Sequence, residues 1–386
     1  MNPSAQQLRL VRGADGLTLL SSGVVVIAES WEFINEHLRG TVVDRERAWR
    51  LANTLNHEAV HFIQSYTTAF GFVHATQFAR LCETMQEESR RGRLDEAKLR
   101  AFRKDYRGLR QRMTEAYGGV SAEDILEGMA VVEGYRASAG EPSSDGLGSF
   151  LKLQFPGSST YSRVVQIVEG LFGNQQVLEL TGPICFLALN SDSPPKRFWK
   201  LLRQLSGGTF SDTWRFVEQF GSDPRRFFVL DHDTSSPSHP VLGPYLAFLR
   251  GLSSAENVFK FCAQPGTWLR GEGPWKGGEL MPPVVLAQGG MSRPSSGPLA
   301  RWSDEEFRRL MVWVARLGAS QRALADDRVP YMACVHNACP IHATGFCHHW
   351  YGLPERFEDC VFPGVFEQAF GQEPHEAASR WSVAVH

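Results

Sequence analysis

The sequence feature that most constrains the fold of this 386-residue chain is a long helical pattern between residues 49 and 66. Apolar side chains recur there every three or four positions, which is the period of an α-helix with one buried face. These side chains are Trp49, Ala52, Leu55, Ala59, Phe62 and Tyr66. The same stretch contains the sequence HExxH, formed by His57, Glu58 and His61. We therefore expect a helix that buries one side in the core and lines a cleft with the other.

The two histidines of this helix have the spacing of a metal site. Residues four apart lie one turn above each other, so both imidazoles leave the same face. We predict that His57 and His61 bind one metal ion, and that Glu58 takes a proton from a water molecule held by that ion. Gln64 lies one turn further along, where it could contact a ligand or orient His61.

Two histidines leave a metal with too few protein ligands, and Glu127 is the best candidate for the third. Ala130 and Gly134 share its helical face, and such small residues would let this helix approach the HExxH helix closely. The apolar neighbours on the opposite side of the helix are Ile125, Met129 and Val132. Glu123, one turn earlier than Glu127, is the alternative ligand.

The HExxH sequence, the glutamine three residues after it and the E-G-x-A sequence at residues 127–130 resemble the gluzincin group of zinc metallopeptidases. The resemblance covers residues 17–135 and implies a zincin-like core in which zinc is bound by His57, His61 and Glu127. It also implies that Glu58 is the general base of peptide-bond hydrolysis. The 65 residues between His61 and Glu127 exceed the spacing in many gluzincins, and we interpret the basic helix within them as an insertion.

A weaker resemblance concerns Ser238, His239 and Pro240, which look like a segment of the CAAX-prenyl type of gluzincin. By analogy His239 would be a catalytic residue that stabilises a developing oxyanion. The alternative is a cap or turn histidine, because His239 precedes a proline. The sequence also departs from those enzymes at Tyr245, where they have an arginine. Asp231 or Asp233 could be partners of this histidine.

Four cysteines near the end of the chain form a second candidate site, with four histidines interspersed among them. They are Cys334, Cys339, Cys347 and Cys360. Thiolates bind zinc tightly and such sites stabilise loop-rich segments, so a structural zinc is predicted here. An iron–sulfur cluster and merely reduced cysteines are the alternatives.

Helical patterns dominate the chain, and we predict a mainly α fold of the α+β class. Two apolar runs, at residues 17–20 and 23–28, predict a short β-hairpin at an edge of the catalytic core. Residues 1–263 are assigned to a catalytic domain, and residues 264–299, rich in Gly and Pro, to a loop or linker. Residues 300–386 form a helical, Cys/His-rich segment that we expect to pack on the catalytic domain.

The composition argues against several partners. The net charge is −2, and no apolar run approaches the ~20 residues that a membrane span needs. Residues 90–112 hold ten Lys/Arg and three acids without an aromatic platform, so we interpret them as a solvated helix face rather than a nucleic-acid site. Seven cysteines and the lack of an export signal favour a cytoplasmic protein.

These observations predict a zinc peptidase that acts on a peptide or protein substrate. Two histidines and one carboxylate also bind iron in non-haem Fe(II) oxygenases, so an oxygenase that modifies a peptide or small molecule is the first alternative. The second alternative is a non-catalytic binding protein stabilised by a metal. Glu58 argues against it, because a purely structural site needs no base.

Overall fold

The computed structural model describes residues 16–19, 21–157, 159–208, 284–288, 290–292, 302–325 and 360–380. Within these residues most of the chain is helical and the strands form a small sheet, which confirms the prediction of a mainly α fold. None of the helices in this part of the chain is long and apolar enough to cross a membrane.

The helices are numbered here in chain order over the described residues. The first six are α1 (Trp31–Leu38), α2 (Arg45–Thr67), α3 (Ala69–Arg90), α4 (Glu96–Thr114), α5 (Ala122–Ser138) and α6 (Ser144–Gln154). The next three are α7 (Ser159–Phe172), α8 (Val177–Leu189) and α9 (Pro194–Leu205). The last three are α10 (Asp304–Ala325), α11 (Phe362–Phe370) and α12 (Pro374–Arg380).

The sheet has four strands in the order β1-β2-β3-β4. Its strands are β1 (Gly16–Leu19), β2 (Val24–Ser30), β3 (Val284–Gln288) and β4 (Gly290–Ser292). The antiparallel pair of β1 and β2 confirms the predicted hairpin, and β1 lies at the edge of the sheet. The parallel strand β3 joins the other side of β2.

The structure differs from the expected loop or linker at residues 264–299, because β3 and β4 lie inside this range. Residues 284–287 of β3 are apolar and buried in the sheet. The Gly and Pro content of the whole segment conceals this run, which is only four residues long and gains its stability from β2, far away in the sequence.

Helix α2 begins at the N-cap Asp44, whose side chain accepts a hydrogen bond from the backbone of Arg47. The predicted apolar stripe is packed in the core, with Trp49 and Ala52 partly buried and the other four residues buried. All residues from Glu58 to Thr67 are also buried. The second half of α2 is thus mostly buried, while the side chains of His57 and Glu127 keep exposures of 13% and 20%. That this face lines a cleft stays a prediction.

Helix α5 encloses this half of α2. It begins with a reciprocal capping box between Ser121 and Asp124, and it packs against α2, α7 and α8. A Cβ atom added to Gly134 would lie only 3.0 Å from the backbone N of His57 and 3.1 Å from its Cα. Glycine at this position therefore permits the close approach of the two helices, as predicted from the small residues of α5.

The C-terminal helices α10 and α11 pack against α3. The Gln86 side chain donates a hydrogen bond to Ser320 of α10, and the Ser89 hydroxyl donates one to the backbone oxygen of Phe370 in α11. These contacts join residues more than 200 positions apart within one hydrophobic core.

Candidate metal centre

Three side chains of α2 and α5 converge where the two helices face each other. The distance from His57 Nε2 to Glu127 Oε2 is 3.1 Å, and the distance from His61 Nε2 to the same oxygen is 3.2 Å. The two Nε2 atoms lie 3.1 Å apart. The sequence-predicted ligands thus form a triangle of nitrogen and oxygen atoms that could hold a metal ion.

The dimensions of this triangle fit a zinc ion. Ligand atoms about 2.0–2.1 Å from zinc in tetrahedral geometry lie about 3.3 Å from one another. The three observed distances, 3.1, 3.1 and 3.2 Å, are close to this value. Two imidazole nitrogens and one carboxylate oxygen are also a donor set found in catalytic zinc sites.

Gln64 fixes the tautomer of His61. Its Nε2 donates to the backbone oxygen of Leu126, at 3.0 Å, so its Oε1 is the atom that faces His61 Nδ1 at 2.9 Å. Because an amide oxygen only accepts, His61 Nδ1 must carry a proton. The Nε2 lone pair of a neutral His61 is then directed at Glu127 and His57, as a metal ligand requires.

The number of protons around the triangle also favours a cation. With neutral imidazoles, His61 Nε2 and Glu127 Oε2 are acceptors, and only His57 Nε2 can supply a hydrogen. One hydrogen cannot satisfy three contacts at these distances, so the cluster needs either an additional proton or a metal ion. A metal ion at the centre would satisfy all three ligand atoms at once.

The pKa values of His61 and Glu127 each depend on the charge of the other group. Burial is the largest single influence and disfavours the charged form of His61, but Glu127, Glu58 and Gln64 together raise the pKa of His61 to about 9. Burial would likewise favour protonated Glu127, yet His61 and His57 hold the pKa of Glu127 well below its usual range. Without a metal, the cluster therefore holds a proton in the place that a cation would take.

Glu58 lies beside this cluster under strand β1. Its side chain is 6% exposed, and the Thr18 hydroxyl lies 2.5 Å from Glu58 Oε2 and 2.9 Å from the Glu58 backbone oxygen. Gly16 faces the same carboxylate, because a Cβ atom there would lie 2.9 Å from Glu58 Cγ and 3.2 Å from Oε1. Gly16 and Thr18 thus lie on one face of β1, where one binds Glu58 and the other leaves room for it.

Two aromatic side chains, Phe155 and Tyr161, lie next to the His57 ring. The rings of Tyr161 and Phe155 stack with centroids 4.2 Å apart, and each lies about 6 Å from the His57 ring, at 5.9 Å and 6.2 Å respectively. Phe155 contacts the edge of Phe150, which in turn contacts Trp49 of α2. Neither Thr18 nor Tyr161 was identified from the sequence, since no motif marks a threonine in a strand or a tyrosine in an amphipathic helix.

Glu123 does not join the triangle in this arrangement. Burial and the nearby Glu127 charge raise the pKa of Glu123, which places it close to the cluster without making it a ligand. Of the two glutamates weighed from the sequence, the one that meets the histidines is Glu127.

The remaining predicted site residues are not covered by the structure. His239, Asp231, Asp233 and Tyr245 lie outside the described residues, as do Cys334, Cys339 and Cys347. Cys360 is described and is partly buried with a free thiol. The second metal site therefore stays a prediction.

The chain shows no significant match to any protein-family model, curated protein or solved structure. The resemblance to gluzincins accordingly depends on the motif residues themselves, and it stays a prediction beside the geometry of His57, His61 and Glu127.

Proposed function

We propose that this chain is a metal-dependent hydrolase, in which zinc bound by His57, His61 and Glu127 serves the cleavage of a peptide bond. The observation that carries this proposal is the convergence of the three ligand atoms within 3.2 Å of one another. Their helices meet at a glycine, Gly134, so the close approach is built into the backbone.

The ligand count supports a catalytic rather than a structural role. Structural zinc sites have four protein ligands, whereas catalytic sites have three and keep one position open. Among the residues that the structure describes, no fourth His, Cys, Asp or Glu atom joins the triangle. An acidic side chain, Glu58, lies beside it, as hydrolysis requires.

A bound divalent cation would polarise the substrate carbonyl and make a water molecule more acidic. The Glu58 carboxylate accepts a proton from the attacking water, whose oxygen forms a bond to the carbonyl carbon. Glu58 then returns that proton to the amide nitrogen as the C–N bond breaks, which yields an acid and an amine. Thr18 holds Oε2 of Glu58 by a hydrogen bond, so Oε1 is the oxygen left to carry the proton.

Elemental analysis of the full chain, purified under anaerobic conditions, tests whether His57, His61 and Glu127 bind zinc. We expect one zinc per chain at this site, which is lost in His61→Ala and kept in a control variant, His375→Ala. His375 is an exposed histidine of α12 outside the cluster. Since cysteines near the C-terminus could bind zinc as well, the difference between wild type and His61→Ala is the decisive number.

Activity is measured by mass spectrometry on a mixture of unmodified peptides. We expect cleavage by the zinc-loaded chain, and none by Glu58→Gln at an unchanged zinc content. Stoichiometric iron with oxygen-dependent addition of mass to a peptide would instead establish the oxygenase alternative and overturn the proposal. Full hydrolytic activity of Glu58→Gln would contradict the role of Glu58.

A further inference from the structure

Helix α9 carries a row of basic side chains on its exposed face. Lys196, Lys200 and Arg203 are all exposed, and their spacing of four and three residues places them on one side of the helix. The opposite side is buried in the core through Phe198 and Leu202. No Asp or Glu occurs in α9. The three cations, here called the basic row, thus extend over about 10 Å of helix.

Neighbouring acidic side chains do not neutralise the basic row. Within the part of the chain that the structure describes, none of its three cations forms an ion pair, and Arg203 Nε donates to the backbone oxygen of Trp199 instead. The basic residues of α3 and α4 differ, because several of them pair with glutamates, as Lys98 does with Glu88. The basic row therefore keeps its positive charge available to a partner.

An exposed aromatic side chain lies at one end of the basic row. The side chain of Tyr117 is 44% exposed, and Lys196 Nζ lies 6.0 Å from the centroid of its ring, at the outer limit of a cation–π contact. Tyrosine and arginine are among the residue types that contribute most to the binding energy of protein interfaces. Tyr117 thus adds an apolar contact surface to a charged one.

The turn that carries Tyr117 is fixed to α9. Gly118 and Gly119 have φ angles of +60° and +81°, which glycine adopts without strain. The indole N–H of Trp199 donates to the backbone oxygen of Tyr117 at 2.9 Å, and Arg163 Nη1 donates to that of Gly119 at 3.0 Å. A Cβ atom on Gly118 would lie only 2.6 Å from Trp199 Nε1. Because the turn is already ordered, binding a partner there costs little entropy.

We propose that the basic row and Tyr117 form a docking surface for an acidic peptide segment of a partner protein. Side chains on one face of an extended peptide are about 6.6 Å apart, and four residues of α9 span about 6 Å. Glutamates at alternate positions therefore match Lys196 and Lys200, and an aromatic side chain beyond them contacts Tyr117. Charge complementarity selects an acidic segment, and Tyr117 selects one with an aromatic residue beside its carboxylates.

A nucleic acid fits this surface less well. Single strands bind along positively charged grooves and release counterions from many phosphates. The basic row has three cations, and the whole chain has a net charge of −2, so it does not attract a polyanion from a distance. The surface includes none of His57, His61 and Glu127, so it is independent of the metal-dependent function proposed above.

Fluorescence anisotropy on the full chain measures the docking. The probe is a fluorescein-labelled peptide in which glutamate alternates with glycine and a phenylalanine follows the last glutamate. We expect Lys200→Glu to weaken binding about tenfold, because repulsion replaces attraction. Tyr117→Ala, which keeps the backbone oxygen that Trp199 binds, should weaken it about fivefold. Lys152→Glu, at an exposed lysine of α6, makes the same change in net charge and should bind like the wild type.

Three results would overturn the proposal. The first is equal weakening by Lys200→Glu and Lys152→Glu, since binding would then follow net charge. The second is no binding of the peptide to the wild type at millimolar concentration. The third is tighter binding of an oligothymidylate of equal charge, lost in Tyr117→Ala, which would assign the surface to nucleic acid. Circular dichroism checks folding, and if Lys200→Glu does not fold, Lys200→Gln and Lys152→Gln give the same comparison.

Discussion

The carboxylate of Glu58 depends on a hydroxyl that lies forty positions away in the sequence. A buried carboxylate is stable only when other groups replace the hydrogen bonds of water, and Thr18 provides one such bond. The same hydroxyl lies 2.9 Å from the Glu58 backbone oxygen, so the threonine attaches β1 to α2 at the position next to His57. One residue thus contributes to both the stability of the hairpin and the orientation of the base.

Thr18→Val keeps the shape of the side chain and removes the hydroxyl. Because Glu58 would lose a hydrogen bond to a charged group, we expect the free energy of unfolding to fall by about 1.5–3 kcal/mol. Urea denaturation measures this change. Thr84→Val, at an exposed threonine whose hydroxyl bonds within its own helix, is the control and should change stability by less than about 0.5 kcal/mol. Equal effects of the two substitutions would contradict a special role for Thr18.

His74 of α3 should make the stability depend on pH. Burial, followed by the charges of Arg112 and Arg110, lowers the pKa of His74 to about 4. The unfolded chain takes up this proton near pH 6.5, whereas the folded chain resists it until about pH 4. Stability is therefore unaffected by this group above pH 6.5 and falls as the pH drops from 6.5 to 4.

His74→Gln removes this titration. We expect the loss of unfolding free energy between pH 7 and pH 4.5 to be about 2.5 kcal/mol smaller in His74→Gln than in the wild type. Chemical denaturation at the two pH values gives both numbers. His74→Phe, which keeps an aromatic ring against Phe70, should behave like His74→Gln. Parallel pH profiles of wild type and both variants would refute the prediction.

At the scale of elements, the crossing of α2 and α5 determines the geometry of the metal centre. Asn56 contacts Ser138, His57 approaches Gly134, and His61 meets Glu127. Residue numbers rise along one helix as they fall along the other, so the two helices are antiparallel. A small shift at this crossing would move Glu127 away from both histidines together.

Gly134→Ala tests the crossing. A Cβ atom 3.0 Å from the His57 backbone has no room, so the helices must separate by a few tenths of an ångström and the ligands with them. We expect weaker zinc binding and a loss of stability of about 1–3 kcal/mol, measured by zinc titration and urea denaturation. Gly108→Ala in α4 is the control, since a Cβ atom there meets nothing within 4 Å. It should raise stability by about 0.5–1 kcal/mol, and a similar gain in Gly134→Ala would disprove the close approach.

The parts of the site that lie within one helix could be predicted from the sequence. His57, Glu58 and His61 follow from the HExxH sequence within a helical pattern. Glu127 was proposed because the small residues Ala130 and Gly134 share its helical face. Thr18 and Tyr161 could not be predicted, because their positions depend on the register of β1 and on the packing of α7. Such contacts come from tertiary structure, and no local period in the sequence encodes them.

For the whole molecule, a metal ion at this site would join two helices of the central core. A ligand that binds only the folded state stabilises it by about 2.7 kcal/mol at a concentration 100 times its dissociation constant. We therefore expect the melting temperature to rise when zinc is added to the metal-free chain, and to fall again when a chelator is added. Differential scanning calorimetry measures both changes.

His61→Ala separates this effect from zinc bound elsewhere. Because the variant lacks one of the three ligands, its melting temperature should respond much less to zinc. A variant with the four C-terminal cysteines changed to serine should still respond through the helical site. Identical responses of wild type and His61→Ala would show that the stabilising metal binds at another place.

The class of the fold could be predicted from the sequence, but only part of the sheet could be. The mainly α architecture follows from repeated apolar periods, and the hairpin of β1 and β2 follows from two neighbouring apolar runs. Strand β3 was missed because its partner is distant, and a run of four apolar residues within a Gly- and Pro-rich segment indicates no element by itself. Residues 31–283 separate β2 from β3, so local sequence patterns cannot predict that these two strands pair.

The parallel pairing of β2 with β3 has a consequence for the order of events on the ribosome. When the first helices emerge, the strand that completes the sheet beside β2 has not yet been synthesised. One side of β2 must therefore stay unpaired until residues 284–288 leave the exit tunnel. A nascent chain released before that point would expose a row of backbone donors and acceptors next to Val24 and Val25, which makes truncated products prone to aggregation.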